Sequence, residues 1–301
     1  MNNTIAVAVW MAGAIASFTL MGVAGRELSA ELDTWGILLF RSIVGLFVVL
    51  ALLQIKGWHL AVSRRLPTQL FRNVVHYGGQ FGWFYGISLL PMAQVFALEF
   101  TVPIWGLLLA AVFLKEQPTQ ARVIALVLGL TGVIVILRPG IIPLNIAVIA
   151  VLASALCYAI THIITKSIVT VDSPLTILFY MTLVQLPIGI VAAWPTLVMP
   201  SPALWPWVVV VGLSALSAHF CLAKALFNGD ASVVLPVDFL RLPVIAVVAA
   251  ILYGEGIDVW LFIGAALMVA GNLYSLRDDS LTDDSLTDDS LTDERRKGRA
   301  N

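Results

Sequence analysis

The stretch Val237-Asp238-Phe239-Leu240-Arg241-Leu242-Pro243 places two charges and a proline inside an otherwise apolar segment. That segment runs roughly from residue 231 to residue 253 and is long enough to cross a bilayer as a helix. A charged side chain in such a helix costs about 2.5–3.5 kcal/mol on insertion scales, so it normally faces a cavity or a partner rather than lipid. The stretch therefore indicates a membrane helix that handles something polar near its middle.

A similar arrangement occurs 139 residues earlier in the chain. Glu99 then corresponds to Asp238. Glu116 corresponds in the same way to Glu255. In each half, the second acid follows the first by 17 residues. The two-acid match at one fixed spacing predicts that the membrane protein is internally duplicated.

The composition places the chain among integral membrane proteins. Of its 301 residues, 60% are hydrophobic and only 12% are charged, and the mean hydropathy is +0.96. The net charge of −1 gives no reason to expect a nucleic-acid partner. Both cysteines, Cys157 and Cys221, fall inside apolar segments, which argues against a disulfide framework or a zinc site. We expect neither a cofactor nor a metal.

Ten apolar stretches are each of spanning length. They lie at approximately residues 4–24, 35–55, 70–90, 93–114, 120–137, 143–165, 174–195, 205–227, 231–253 and 258–276. The turns between them are short, so successive helices must run antiparallel. We predict an all-α integral membrane protein with ten transmembrane helices in two five-helix repeats, residues 1–139 and 140–277. Because five is an odd number, the second repeat enters the membrane from the opposite side and the two repeats are inverted.

The basic residues predict the orientation of these helices. With the N-terminus inside, thirteen basic residues, Arg72 among them, fall on cytoplasmic loops, cytoplasmic helix ends or the tail, and only Arg26 and Arg138 fall outside. We therefore expect a multi-pass protein of the cell (inner or plasma) membrane with both termini in the cytoplasm. Residues 278–301 repeat Asp-Asp-Ser-Leu-Thr three times and are predicted to be a disordered acidic tail, with a regulatory or partner-binding role as the alternative.

With these features the chain resembles the two-repeat EamA branch of the drug/metabolite transporter superfamily. Two stretches carry the resemblance, residues 91–116 and residues 237–255, and it extends over residues 4–276. The resemblance implies ten helices in two repeats and the transport of small organic solutes such as amino acids, nucleotide-like metabolites or vitamins, into or out of the cell. Arg41 and Arg241 have no basic counterparts in the other half, so the two halves are not symmetric in charge.

Four charged side chains lie within predicted spans, and their charges sum to zero: Arg41, Glu99, Asp238 and Arg241. They either form two buried ion pairs that hold the bundle together, or face a central cavity and bind a charged or zwitterionic solute. Asp238 and Arg241 are three residues apart on one helix and can meet directly, which favours a structural pair. Glu99 needs a partner from another span, with Arg41 as one choice, and is therefore the better functional candidate.

Polar side chains also form stripes within the spans. On the third span Asn73, His76, Gln80 and Trp83 share one face, and Gly78, Gly82 and Gly86 lie on the opposite face, where a neighbouring helix can approach closely. We interpret the polar stripe as the lining of a substrate path, with interhelical hydrogen bonding as the alternative. Tyr158 and His162 belong to a weaker stripe on the sixth span. His76, His162 and His219 lack metal-ligand spacing and are expected to be hydrogen-bonded interior residues.

Two prolines follow the matching acids by four or five residues. Pro103 and Pro243 each remove a helical hydrogen bond, and we propose them as hinges for a rocking motion of the repeats. Glu116 and Glu255 lie at span ends, where they are expected to cap or bracket loops.

The leading functional hypothesis is a secondary transporter, not an enzyme, that binds a small-molecule solute within the lipid bilayer and alternates access by rocking its repeats. Neither the ATP-binding motif G-x-x-x-x-G-K-[ST] nor the catalytic motifs G-x-S-x-G and H-E-x-x-H occur. Energy would come from the solute gradient or from protons, with Glu99 and Asp238 as coupling candidates. The balanced charges favour a zwitterion such as an amino acid or a betaine-like solute. The alternatives are an exporter of drugs or other metabolites and a structural or sensory membrane protein. We expect the protein to be a monomer or a homodimer.

Overall fold

The computed structural model describes residues 3–113, 120–138, 145–228, 238, 240–256, 258–271 and 273–274. Within these ranges all of the regular secondary structure is helical. The helices are α1 (Asn3–Leu28), α2 (Thr34–Lys56), α3 (Leu66–Leu89), α4 (Met92–Glu99), α5 (Val102–Phe113), α6 (Gln120–Leu137), α7 (Ile146–Ile168), α8 (Pro174–Ala193), α9 (Trp205–Asn228), α10 (Arg241–Tyr253) and α11 (Val259–Gly271). Two short 3-10 helices, Trp58–Ala61 and Pro202–Leu204, lie in loops. The predicted tail and Glu116 lie outside the described residues.

Each of the ten predicted spans contains a described helix, and the fourth span is divided into α4 and α5. Five segments are long and apolar enough to cross a membrane on their own: Ile5–Leu28, Thr34–Lys56, Ile146–Ile168, Pro174–Ala193 and Pro202–Asn228. The predicted fold class, an all-helical membrane protein of two inverted five-helix repeats, is confirmed.

The packing of the helices repeats after five spans. The most extensive contacts in the described part of the chain join α1 to α9 and α3 to α7. The first spans of the two repeats are α1 and α7, and their third spans are α3 and α9. A shift by five spans therefore turns the contact of α1 with α9 into the contact of α7 with α3. The contacts of α2 with α8 and of α4 with α10 map onto themselves under the same shift. This pattern is the one expected of two repeats related by a two-fold axis.

The predicted glycine face of α3 packs against α7. A Cβ atom at Gly82 would clash with the carbonyl oxygen of Ala150, and one at Gly86 would clash with the side chain of Val151. Gly78 has more room, since a Cβ there would lie 4.0 Å from the sulfur of Cys157. The face therefore serves close helix packing within one chain, as small residues do in membrane bundles.

The fourth span is interrupted next to its acid. α4 ends at Glu99, and a tight turn through Phe100 and Thr101 leads into α5. Pro103, the second residue of α5, has no N–H to offer the Glu99 carbonyl, so an uninterrupted helix would lose that bond. Pro243 occupies the first turn of α10, where a proline is likewise tolerated. A hinge role for either proline stays a prediction.

Candidate functional site

An ion cluster lies where the two repeats meet. Arg241, at the start of α10, donates from Nη2 to Glu99 Oε1 at 3.0 Å and to Asp238 Oδ2 at 2.9 Å. The other oxygen of Glu99 accepts a hydrogen bond of 2.9 Å from the indole N–H of Trp83. The predicted contact between Asp238 and Arg241 is confirmed. The suggestion that Arg41 neutralises Glu99 is wrong, because Arg241 already occupies that carboxylate from a helix 142 residues away.

Aromatic rings enclose the guanidinium of Arg241. Its central carbon lies 4.8 Å from the ring centroid of Phe18, 5.1 Å from that of Phe96 and 5.9 Å from that of Phe100. Arg241 is 2% exposed, so these faces and the two carboxylates replace its hydration. Three helices, α1, α4 and α10, are held together around one cation.

Arg41 lies buried on α2, where none of the described acidic side chains forms an ion pair with it. It is 3% exposed, and its Nη2 donates to Gln185 Oε1 at 3.3 Å. Its Nε and Nη1 atoms are buried and make no hydrogen bond within the described residues. The alternative of two separate buried ion pairs is therefore wrong, because Glu99 and Asp238 both contact Arg241 and neither of them contacts Arg41.

Arg72 is a third buried cation, although the sequence analysis placed it at a cytoplasmic helix end. It is 3% exposed on α3, where Nε donates to Thr165 Oγ1 at 2.7 Å and Nη1 donates to Asn73 Oδ1 at 2.9 Å. Among the described side chains, no carboxylate forms an ion pair with it. The signal that it is an interior residue was present in the sequence, because Arg72 precedes His76 by one helical turn and so shares its face.

The polar stripe of α3 faces the interior, as predicted. Asn73, His76, Gln80 and Trp83 are all at most 3% exposed. The Gln80 amide nitrogen lies 3.2 Å from Nδ1 of His76. These contacts are compatible both with a substrate path and with interhelical bonding.

The three histidines converge although they come from different spans. The rings of His76 and His219 meet edge to face with centroids 4.8 Å apart. The ring of Tyr158 lies between those of His76 and His162, with centroid distances of 5.7 Å to His76 and 6.4 Å to His162. Gln185 reaches His76 from α8, with its amide nitrogen 3.2 Å from Nδ1. His219 and Gln185 were not among the predicted site residues. A glutamine in mid-span was the available signal, since a polar amide in lipid is costly.

These contacts do not form a metal centre. The described part of the chain contains no group of three or more histidine, cysteine or acidic side chains placed to hold a metal ion. The cluster instead presents imidazole, amide and phenol groups, which suit hydrogen bonding to an organic solute.

Two neighbouring cavities border this cluster. The larger one, about 320 Å³, is lined by apolar residues together with His162, Lys166 and Asp238. The smaller one has about 20 Å³ of free space and is lined by Arg72, His76, His162 and His219 among others. The two share His162 and the leucines at 222 and 226 as lining residues. Both lie toward the end of the bundle where α1 begins and where α7 and α9 finish.

A clasp joins the helices at the opposite end. Arg26 forms an ion pair of 3.4 Å with Glu255, and Arg26 also donates to the carbonyl oxygen of Leu90. Glu255 accepts hydrogen bonds from the N–H of Met92 at 2.9 Å and 3.2 Å, which confirms that this acid brackets a loop. The hydroxyl of Tyr253 donates to Glu27 at 2.8 Å.

The loops at that end are also linked. The backbone N–H of Ser201 donates to the carboxylate of Glu31 at 2.8 Å, and this hydrogen bond lowers the pKa of the exposed Glu31 side chain below its usual value. A further cavity of about 210 Å³ lies beneath the clasp and is lined by Gln94, Arg138 and Asp258 among others.

Known proteins resemble this chain along most of its length. It is 24% identical over 265 residues to the S-adenosylmethionine uptake transporter of Rickettsia bellii, which covers 88% of this chain and 91% of that protein. It is 28% identical over 281 residues to the riboflavin transporter of Rhizobium johnstonii, with 92% and 93% covered. It is 25% identical over 260 residues to the pseudopaline exporter of Pseudomonas aeruginosa, with 85% and 88% covered.

The fold and the family are shown by two further comparisons. A solved crystal structure with 17% sequence identity covers 89% of this chain and 96% of its own, with a TM-score of 0.67, so the two chains share a fold. The model of the EamA-like transporter family matches twice, over residues 5–138 and over residues 145–277. The chain therefore belongs to the EamA-like transporter family.

Proposed function

We propose that this protein is a secondary transporter that carries a small organic solute across the inner or plasma membrane by alternating access of its two repeats. One observation supports this above the others. Two groups of interior polar side chains lie in the middle of the bundle, and their contacts alternate between the repeats. One group runs from Arg41 to Gln185, His76 and His219. The apolar ring of Phe18 lies between His219 and the second group, Arg241 and Glu99. Polar groups in a membrane interior are expensive and typically mark a solute or ion pathway.

The clasp and the cavities support one state of an alternating-access cycle. At one end Arg26, Glu255 and the amide of Met92 hold the helices together. Toward the other end lies the cavity of about 320 Å³. The excess of basic residues at that end supports the proposal that it faces the cytoplasm, together with both termini. We therefore interpret the structure as a cytoplasm-facing state, with rocking at Pro103 and Pro243 as the route to the other state.

The substrate we propose is an organic solute that carries a carboxylate, of which a zwitterion such as an amino acid or a betaine-like compound is the simplest kind. The four charged residues that the sequence analysis placed within the spans sum to zero, which supported a zwitterion. Arg72 is also buried and adds one positive charge to that sum. Relatives named as transporters of S-adenosylmethionine and riboflavin and as an exporter of pseudopaline support a metabolite-sized solute and a transporter rather than an enzyme. His76, Gln80, Tyr158 and His162 are the proposed lining, and Glu99 and Asp238 are the proposed sites of coupling to protons.

The test is solute exchange in liposomes that contain the purified protein. Liposomes are loaded with a metabolite extract, and the solutes that leave when unlabelled S-adenosylmethionine, riboflavin or an amino acid mixture is added outside are identified by mass spectrometry. We expect saturable exchange of at least one organic solute. Glu99→Gln is expected to reduce exchange, whereas Lys56→Gln, which changes one exposed charge at the end of α2, is expected to leave it unaltered. If folded protein exchanges nothing from the extract, the proposal is wrong.

A further inference from the structure

We propose that the transported solute is held as a zwitterion between two charged poles, with its carboxylate at Arg72 and its cationic group at Asp238. This inference rests on the proposed function, since it names the substrate class and its orientation in that site. The sequence analysis placed Arg72 at a cytoplasmic helix end and did not include it among the solute-binding candidates. It gave Asp238 either as a structural partner of Arg241 or as a group that faces the solute.

The buried charges separate into two groups of opposite sign. Glu99 and Asp238 share the single cation Arg241, so that group carries one net negative charge. Arg41 and Arg72 carry two positive charges and contact no carboxylate in the described part of the chain. Two desolvated guanidinium groups without an anion are unfavourable. A carboxylate that enters from solution would supply the missing counter-charge.

Arg72 provides the geometry of the positive pole. Nε and Nη1 are engaged with Thr165 and Asn73, and Nη2 makes no hydrogen bond to any described residue. Arg72 lines the small cavity beside His76 and His219, whose free space of about 20 Å³ fits a carboxylate oxygen or a water molecule but not a ring. Arg41 lies behind it, joined through Gln185 to His76, and adds positive potential without lining the cavity.

Asp238 provides the negative pole. Its Oδ2 atom binds Arg241, while its Oδ1 atom is buried and has no hydrogen-bond partner among the described residues. Asp238 also lines the larger cavity, and His162 lines both cavities. A buried carboxylate oxygen without a donor suits an ammonium or another cationic group. The apolar lining of the larger cavity, with Met11 and Ile163, suits the uncharged body of the solute.

The experiment compares the three members of matched ligand triads by thermal shift on the purified full chain. One triad is phenylalanine, phenethylamine without the carboxylate, and 3-phenylpropanoate without the ammonium. The other is S-adenosylmethionine, its decarboxylated form, and S-adenosylhomocysteine, which keeps the ammonium and the carboxylate but lacks the sulfonium, and so tests the sulfonium as the cationic group at Asp238. We expect the zwitterion of at least one triad to bind at least about tenfold more tightly than the member that lacks the carboxylate, as bidentate contacts to arginine do.

The variants assign each preference to its pole. Arg72→Gln is expected to abolish the preference for the carboxylate, and Asp238→Asn is expected to abolish the preference for the cationic group. Arg64→Gln removes an exposed arginine near the same helix start and is the matched control that retains both. Arg72→Lys keeps the charge and is expected to keep the preference with weaker binding, so it serves if Arg72→Gln does not fold.

Several outcomes would overturn the inference. They are equal binding of the carboxylate and carboxylate-free members, an unchanged preference in Arg72→Gln, undiminished binding of the zwitterion in Arg72→Lys, and the absence of binding by either zwitterion at millimolar concentration. If chloride or phosphate alone stabilises the protein through Arg72 to the same extent, the ligand of the pole is an inorganic anion and the assignment to a carboxylate is wrong. If the liposomes still exchange solute while these preferences are absent, this inference alone is wrong. If they exchange no solute, the proposed function is wrong.

Discussion

Asp33 and Asp172 stand 139 residues apart, at equivalent positions of the two repeats, and each accepts a hydrogen bond from a loop of the other repeat. Asp33 follows α1 and accepts from the hydroxyl of Thr196, and Asp172 follows α7 and accepts from the hydroxyl of Ser63. Because the repeats are inverted, these two contacts lie at opposite ends of the bundle. The two equivalent aspartates therefore link the repeats to each other at both ends of the bundle.

The two contacts differ in burial, and this predicts unequal effects of the same substitution. Asp172 is 3% exposed and also accepts from Gln69 at 2.9 Å and from the N–H of Arg64 at 3.2 Å. Asp172→Asn places an amide donor against these donors, so we expect it to lower the free energy of unfolding by about 2 kcal/mol. Asp33→Asn lies on an exposed helix cap that asparagine also fills well, so we expect a change within about 0.5 kcal/mol. Equal shifts of the melting temperature in detergent would contradict this.

The cation at the centre predicts a larger effect. Arg241→Gln leaves Glu99 and Asp238 without their common partner, and loss of one member of a buried ion pair costs about 3–5 kcal/mol. We expect the double variant Arg241→Gln with Glu99→Gln to recover part of that loss, because it removes one of the orphaned charges. The measurement is a double-mutant cycle on unfolding in a denaturing detergent. Additive effects of the two changes would show that the contact does not contribute to stability.

The sequence predicted which face of a helix points to the interior better than it predicted which side chains form pairs. The penalty for polar groups in lipid was enough to assign the stripe of His76, Gln80 and Trp83 to the interior, because it depends only on helical periodicity. The partner of Glu99 depends on the relative rotation and depth of α4 and α10, which periodicity does not contain. The choice between Arg41 and Arg241 therefore required the structure.

Arg72 shows the other limit of the sequence argument. The orientation rule counts basic residues near span ends, and it placed Arg72 at such an end although the side chain turns inward to Thr165. A long side chain can lie on either side of the boundary, so its position in the chain does not determine its environment. The repeat, in contrast, was predicted correctly, since a fixed spacing of two acids is independent of side-chain direction.

The glycine face of α3 gives a prediction with an internal control. Gly82→Ala would bring a methyl group against the backbone carbonyl of Ala150, which cannot move without shifting α7. We expect it to lower the free energy of unfolding by about 1–3 kcal/mol, as overpacking does. Gly78→Ala on the same helix meets only Cys157 at 4.0 Å and should be neutral or slightly stabilising. Melting temperatures that rank Gly78→Ala below Gly82→Ala would contradict the predicted packing.

The clasp at the far end predicts how the protein opens. Glu255→Gln weakens the ion pair with Arg26 and loosens the hydrogen bonds to the N–H of Met92. In the proposed alternating-access cycle these contacts would form only while that end is closed. Their loss should then raise the population of the state that is open there, by tenfold for each 1.4 kcal/mol removed. Gln94 is 8% exposed and lines the cavity of about 210 Å³ beneath the clasp, so a cysteine at this position reports on opening. In a background of Cys157→Ser and Cys221→Ser, we expect Gln94→Cys to react with a membrane-impermeant maleimide at least about fivefold faster when Glu255→Gln is present.

Lys56→Gln, which lies at the opposite end, should leave the labelling rate unchanged. A rate that does not respond to Glu255→Gln would mean that the clasp is a static contact and not part of the gate.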